Sequence, residues 1–113
     1  MVGRSQDLII SGGENIHPAE IESLALTWPG VAEAAVVGLP DARWGEVPVL
    51  VLVARPGEAV DIDTLRGLFE DRLARFKHPQ RIVLVNQLLR TVLGKVQKAQ
   101  LAARLRADPR DLV

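Results

Sequence analysis

The chain has 113 residues, 48% hydrophobic and 25% charged, with a mean hydropathy of +0.14; that is enough for one folded domain, too little for two cores, and far from the composition of a disordered chain. It has no cysteine and only two histidines, His17 and His78, which excludes disulfides and thiolate chemistry, argues against any metal site, and fits a reducing cytoplasm. The net charge is zero, and the apolar stretches Val31 to Val37 and Val47 to Ala54 fall far short of the ~20 residues that span a bilayer, so the expectation is a soluble, cytoplasmic protein with no transmembrane segment.

Leu8-Ile9-Ile10 is a short β-type run that meets Ser11-Gly12-Gly13, predicting a hairpin or tight glycine turn. Pro18 suits a first helical position, Glu20 and Glu22 favour the positive end of the helix dipole, and Ile21, Leu24, Ala25 and Trp28 recur at helical spacing until Pro29-Gly30 stops the helix. Val31 to Gly38 and Val47 to Ala54 read as strands covered on both faces, separated by a polar loop from Leu39 to Glu46. Asp61 is a good N-cap for a second helix with the stripe Ile62, Leu65, Leu68, Phe69 and Leu73. Arg81 to Asn86 reads as a third buried strand, Gln87 to Gly94 as a loop, and Val96 to Ala107 as a final helix ended by Asp108-Pro109. The order β-hairpin, α, β, β, α, β, α describes an α+β domain with a small mixed sheet and helices packed on it.

Charge is unevenly distributed. Residues 1–57 hold three basic side chains against seven acidic ones, residues 58–113 eleven against seven, and from Arg72 to Ala107 there are nine Lys or Arg and no acid. Such a stretch either carries a positive field toward an anionic partner or is a plain solvated basic face with no ligand. With four aromatics and no tyrosine, the chain is poorly supplied with stacking platforms for single-stranded nucleic acid, and a phosphorylated small molecule or an acidic partner fits as well.

Spacing excludes several motifs. Gly94-Lys95 is not a phosphate loop, because Leu89 and Val96 stand where that loop needs a glycine and a hydroxyl. Ser11-Gly12-Gly13 lacks the third glycine of a dinucleotide fingerprint, and no nucleophile elbow surrounds Ser11 or Ser23. Lys95 remains as an ordinary surface lysine or a reaching point charge for a phosphate or carboxylate, and Trp44 as a large aromatic among polar neighbours, packed down or marking a contact surface.

Taken together, Gly3-Arg4-Ser5-Gln6-Asp7-Leu8-Ile9-Ile10-Ser11-Gly12-Gly13-Glu14-Asn15-Ile16-His17-Pro18-Ala19-Glu20-Ile21-Glu22 closely resembles the segment that opens the C-terminal domain of adenylate-forming enzymes. Leu39 to Glu46 resembles the middle loop of that domain, Phe76-Lys77-His78-Pro79 its F-K-x-P element, and Arg90 to Val96 its T-x-x-G-K motif. The wording of the first segment is most similar to acyl-CoA synthetases, and the resemblance covers essentially residues 1–113. It implies a C-terminal lid whose partner is its own N-terminal adenylation domain, absent from these residues. The activity implied is conversion of a carboxylic or fatty acid, ATP and CoA to acyl-CoA, AMP and pyrophosphate, with Mg²⁺ accompanying ATP and bound mainly outside this domain.

The resemblance also implies roles. Lys95 matches the adenylation lysine, Arg4 a nucleotide-binding arginine and Gln6 the hinge, where relatives more often carry Asp or Lys. Gly12 and Gly13 match the loop lining the pantetheine tunnel; Trp44, Phe76, Lys77 and His78 match the surface for the CoA nucleotide. Leu89 replaces a proline that commonly precedes the terminal motif. The alternatives are a stand-alone module that binds anions, nucleic acid or protein through the basic stretch, and a lid serving a carrier protein instead of free CoA; the lid reading expects no nucleic-acid partner.

Overall fold

The computed structural model describes residues 8–88, 92, 94 and 96–107. A two-stranded hairpin comes first: β1 (Ile9–Ser11) pairs antiparallel with β2 (Glu14–Ile16), with Ser11 opposite Glu14. Gly12 and Gly13 form its two-residue turn at φ +58° and +84°, the pair of positive angles that matches strand twist in such hairpins. Helix α1 (Pro18–Leu26) follows with Pro18 at its start and Ile21 and Ala25 buried. The main sheet holds β3 (Val31–Asp41), β4 (Gly45–Ala54) and β5 (Arg81–Val85) in the order β3-β4-β5. β3 and β4 are antiparallel; β4 and β5 are parallel and joined through α2 (Ile62–Arg72), the kind of crossover a parallel pair requires. Helix α3 (Lys98–Ala107) closes the described chain, so the sheet is mixed and the domain α+β, as expected.

Both faces of the sheet are covered, which is why its strands read as continuous apolar runs rather than alternating ones. Leu50 and Leu52 of β4, with Val36 and Ile82, pack against Ile21 and Ala25 of α1, Leu65 and Phe69 of α2, and Ile9 and Ile16 of the hairpin. The intervening Val49, Val51 and Val53 face the other way with Ala35, Val37 and Val83, against Leu101, Ala102 and Leu105 of α3. The period of two along a strand thus divides one run between two cores. Asp61 caps α2 as its type predicts: Oδ1 accepts from the backbone N–H groups of Asp63 and Thr64, and Oδ2 from the Thr64 hydroxyl. These bonds hold its carboxyl below the usual aspartate value, the Thr64 hydroxyl contributing most.

Three expectations need correction. The polar run Leu39 to Glu46 is not an extended loop: the ladder continues through Leu39↔Val47, Pro40↔Glu46 and Asp41↔Gly45, leaving only Ala42, Arg43 and Trp44 to turn. Asp41 Oδ2 accepts from the N–H groups of Arg43 and Trp44 at 3.0 and 2.9 Å, and Gly45 sits at φ +87°; an Asx turn and a left-handed glycine make the reversal tight. A short 3₁₀ helix stands at Arg75–Lys77, where the sequence pattern shows no element, and α3 begins at Lys98 rather than Val96. The expected stop at Asp108-Pro109 lies outside the described residues.

Candidate functional site

The hairpin turn and the tip of the β3–β4 reversal meet. Gly12 N–H donates to the Trp44 carbonyl at 2.8 Å, and a β-carbon on Gly12 would stand 2.6 Å from Trp44 Cε3. Glycine is therefore required at position 12 twice over, by its positive φ and by the indole against it. Gly13 has nothing within 4 Å of where its β-carbon would be, so the turn presents bare backbone outward. Trp44 is 46% exposed, with the Arg43 guanidinium 5.4 Å from its ring centroid, within the range of a cation–π contact. Trp44 packs down on Gly12, one of its two sequence readings, while much of the ring remains open. A second tie joins the same elements, Ile10 N–H donating to Glu46 Oε1 at 3.0 Å.

Lys77 and His78 occupy a different part of the molecule, at and just after the 3₁₀ helix that follows α2. Lys77 Nζ lies 2.9 Å from Glu20 Oε1 of α1. His78 Nε2 lies 3.1 Å from the Leu73 carbonyl oxygen; a carbonyl can only accept, so Nε2 carries the hydrogen and a neutral His78 turns Nδ1, an acceptor, to its surroundings. The backbone of Phe76 belongs to the 3₁₀ helix, but its ring lies outside the described residues. So do Arg4, Gln6 and Lys95. Gly94, directly before Lys95, is at φ +87°, a backbone conformation that accounts for glycine at that point of the motif.

The structure brings Gly12, Gly13 and Trp44 together and seats Lys77 and His78 on other elements. It adds contacts that the sequence did not assign. Glu22 Oε2 accepts from Val36 N–H at 2.8 Å and pairs with Lys98 Nζ at 2.7 Å, tying α1, β3 and α3. With Lys77 on Glu20, two cations of the basic stretch are engaged with acids of α1, so that stretch is not simply a solvated positive face. A groove of about 340 Å³ runs between β1, β3 and α3, bordered by Leu8, Gly38, Glu46, Lys98 and Ala102 among others. Among the described residues no group of three or more His, Asp or Glu could hold a metal ion, and no helix is long and apolar enough to cross a membrane.

The model of the AMP-binding enzyme C-terminal domain family matches residues 20–95. The chain belongs to that family. This AMP-binding C-terminal domain is 51% identical over 105 residues to indoleacetate–CoA ligase of Aromatoleum aromaticum, covering 90% of this chain and 21% of that protein. Among solved structures it resembles apo MatB from Rhodopseudomonas palustris, with a TM-score of 0.88, 40% identity, and coverage of 93% and 21% of the two chains. It also resembles the o-succinylbenzoate CoA synthetase MenE from Bacillus subtilis in complex with its acyl-adenylate intermediate, with a TM-score of 0.80, 44% identity, and coverage of 85% and 19%. The domain spans about a fifth of the length of these relatives.

Proposed function

We propose that this domain is the mobile lid of an ATP-dependent acyl-CoA synthetase, working with an N-terminal domain that holds the acid and ATP. What carries the reading is the combination of family membership with a bare Gly12–Gly13 turn packed on a half-exposed tryptophan. Two half-reactions are involved. In the first, the carboxylate attacks the α-phosphorus of ATP and pyrophosphate leaves; in the second, the CoA sulfur attacks the acyl carbon and AMP leaves. A lid that rotates between them can present a different surface to each step and keep water away from the mixed anhydride.

For adenylation, the Lys95 ammonium bridges the carboxylate and the α-phosphate as negative charge builds, Arg4 lies near the nucleotide, and Gln6 is the hinge, by position and without the charge usual there. An ammonium preplaced for developing charge is an effective stabiliser in a dry site. For thioester formation, Gly12 and Gly13 let the pantetheine arm run close to backbone, while the Arg43–Trp44 pair offers a ring face to the adenine and a cation to its phosphates. The motif resemblance also assigns Phe76, Lys77 and His78 to the CoA nucleotide, although Lys77 and His78 stand apart from Trp44 and Lys77 shares its charge with Glu20. Mg²⁺ accompanies ATP outside this domain, and the domain's own residues supply none of the acid pocket. Relatives named for indoleacetate and o-succinylbenzoate share this lid, which leaves the choice of acid to the N-terminal domain.

The test is pyrophosphate release with a panel of carboxylic acids, on this chain alone and on the longer protein that contains it. Turnover by the longer protein only, dependent on one class of acid, supports the reading. Absence of turnover with every acid, or acyl transfer to a phosphopantetheinyl carrier with no use of CoA, overturns it.

A further inference from the structure

The Gly45-Glu46 pair of the middle segment has no part in the chemistry described so far, yet its carboxylate reaches across 36 residues to the hairpin. We propose that Glu46 is a positioning residue for thioester formation, fixing where the Gly12–Gly13 turn stands. The proposal rests on the assignment of that turn to the pantetheine path.

The argument starts from the hairpin. A two-stranded ribbon is marginal on its own, and with Ser11 and Glu14 closing the turn, Ile10 opposite Asn15 directs its N–H away from its partner strand. That donor is satisfied by Glu46 Oε1 at 3.0 Å, and a bond to an ionised acceptor is stronger than one between neutral groups. Ile9 and Ile16 anchor the base of the hairpin in the core. Its turn end is tied to the β3–β4 tip by the Glu46 bond and by Gly12 N–H on the Trp44 carbonyl. The seat of the carboxylate is also built: a β-carbon on Gly38 would stand 3.1 Å from Glu46 Oε2 and 3.1 Å from Ile9 Cγ1. Gly38 is in a strand without a positive φ, so this space, not backbone freedom, explains a glycine there. Gly45 at φ +87° ends the turn directly before Glu46. The Gly12–Gly13 turn is therefore held by a carboxylate from the far side of the β3–β4 reversal, and its loss would let bare backbone drift from a path that tolerates little misplacement.

The experiment uses the longer protein and follows the two half-reactions separately: pyrophosphate release from acid and ATP, and thioester formation from preformed acyl adenylate and CoA. Glu46→Ala is expected to raise KM for CoA in the second step about tenfold, the scale of one lost bond to a charged group, with adenylation within about twofold of wild type. Glu46→Gln, whose amide oxygen still accepts from Ile10, should recover most of the loss. Gly38→Ala, which crowds the carboxylate without removing it, should shift the second step in the same direction as Glu46→Ala and keeps the test decidable if Glu46→Ala does not fold. Equal losses in both half-reactions, an unchanged second step, or Glu46→Gln as impaired as Glu46→Ala would overturn the proposal. A wild-type protein that forms adenylate but does not use CoA would instead remove the pantetheine assignment itself, so the two failures are distinguishable.

Discussion

Replacing Gly12 by alanine should destabilise the domain more than the same change at Gly13, and the excess should depend on Trp44. Both glycines sit at positive φ, so alanine at either costs about 1 kcal/mol in backbone strain. Only at Gly12 does the new methyl meet an obstacle, 2.6 Å from Trp44 Cε3 and 3.0 Å from Cζ3, distances that force the indole to move. Trp44 is 46% exposed, which leaves roughly 130 Å² of its surface covered; swinging about a third of that into water costs about 1 kcal/mol at ~25 cal/mol per Å². The expectation is about 2 kcal/mol for Gly12→Ala and about 1 kcal/mol for Gly13→Ala, read from urea unfolding followed by tryptophan fluorescence and circular dichroism. In a Trp44→Ala background the Gly12 penalty should fall to the Gly13 value, a non-additivity of about 1 kcal/mol. Equal penalties at the two glycines, or additivity in the double variant, would refute the packing argument.

Asp61 caps α2 with a depressed pKa. Its contribution is therefore present above the ordinary aspartate value of 3.8 and is lost as pH falls through that value and below; wild type should lose more stability on acidification than Asp61→Asn, measured by urea midpoints from pH 6 down to pH 3, and parallel losses would contradict the cap. Phe69 is 1% exposed between α2 and the sheet, so Phe69→Ala should cost about 3–5 kcal/mol by the same method, and a loss below about 1 kcal/mol would mean that this core is not packed as described.

The strands, the three helices and the hairpin were legible because each rests on a local signal: the runs Val31 to Gly38 and Val47 to Ala54, Pro18 and Asp61 at helix starts, paired glycines at a turn. The reversal between β3 and β4 reads as a loop because polar composition dominates Leu39 to Glu46, although Asp41 and Gly45 carry the turn signal. The 3₁₀ helix has no periodicity long enough to detect. At the site, the motif resemblance singled out Gly12 and Trp44 but could not show that they touch, since the contact joins residues 32 positions apart. The partners of Glu46 and Glu22 are invisible in the sequence for the same reason. The roles of the two carboxylates are hydrogen bonds to the backbone N–H groups of Ile10 and Val36, and no residue pattern announces which distant N–H lacks a partner. Arg4, Gln6 and Lys95 rest on the motifs alone, because they lie outside the described residues.

The central claim, that this domain serves two half-reactions with different surfaces, is tested most directly by Lys95→Ala in the longer protein. Acyl-adenylate formation, followed as pyrophosphate release, should fall by about 10²-fold or more, while thioester formation from preformed adenylate stays within a few-fold of wild type. Equal loss in both steps, or adenylation unaffected, would contradict the account.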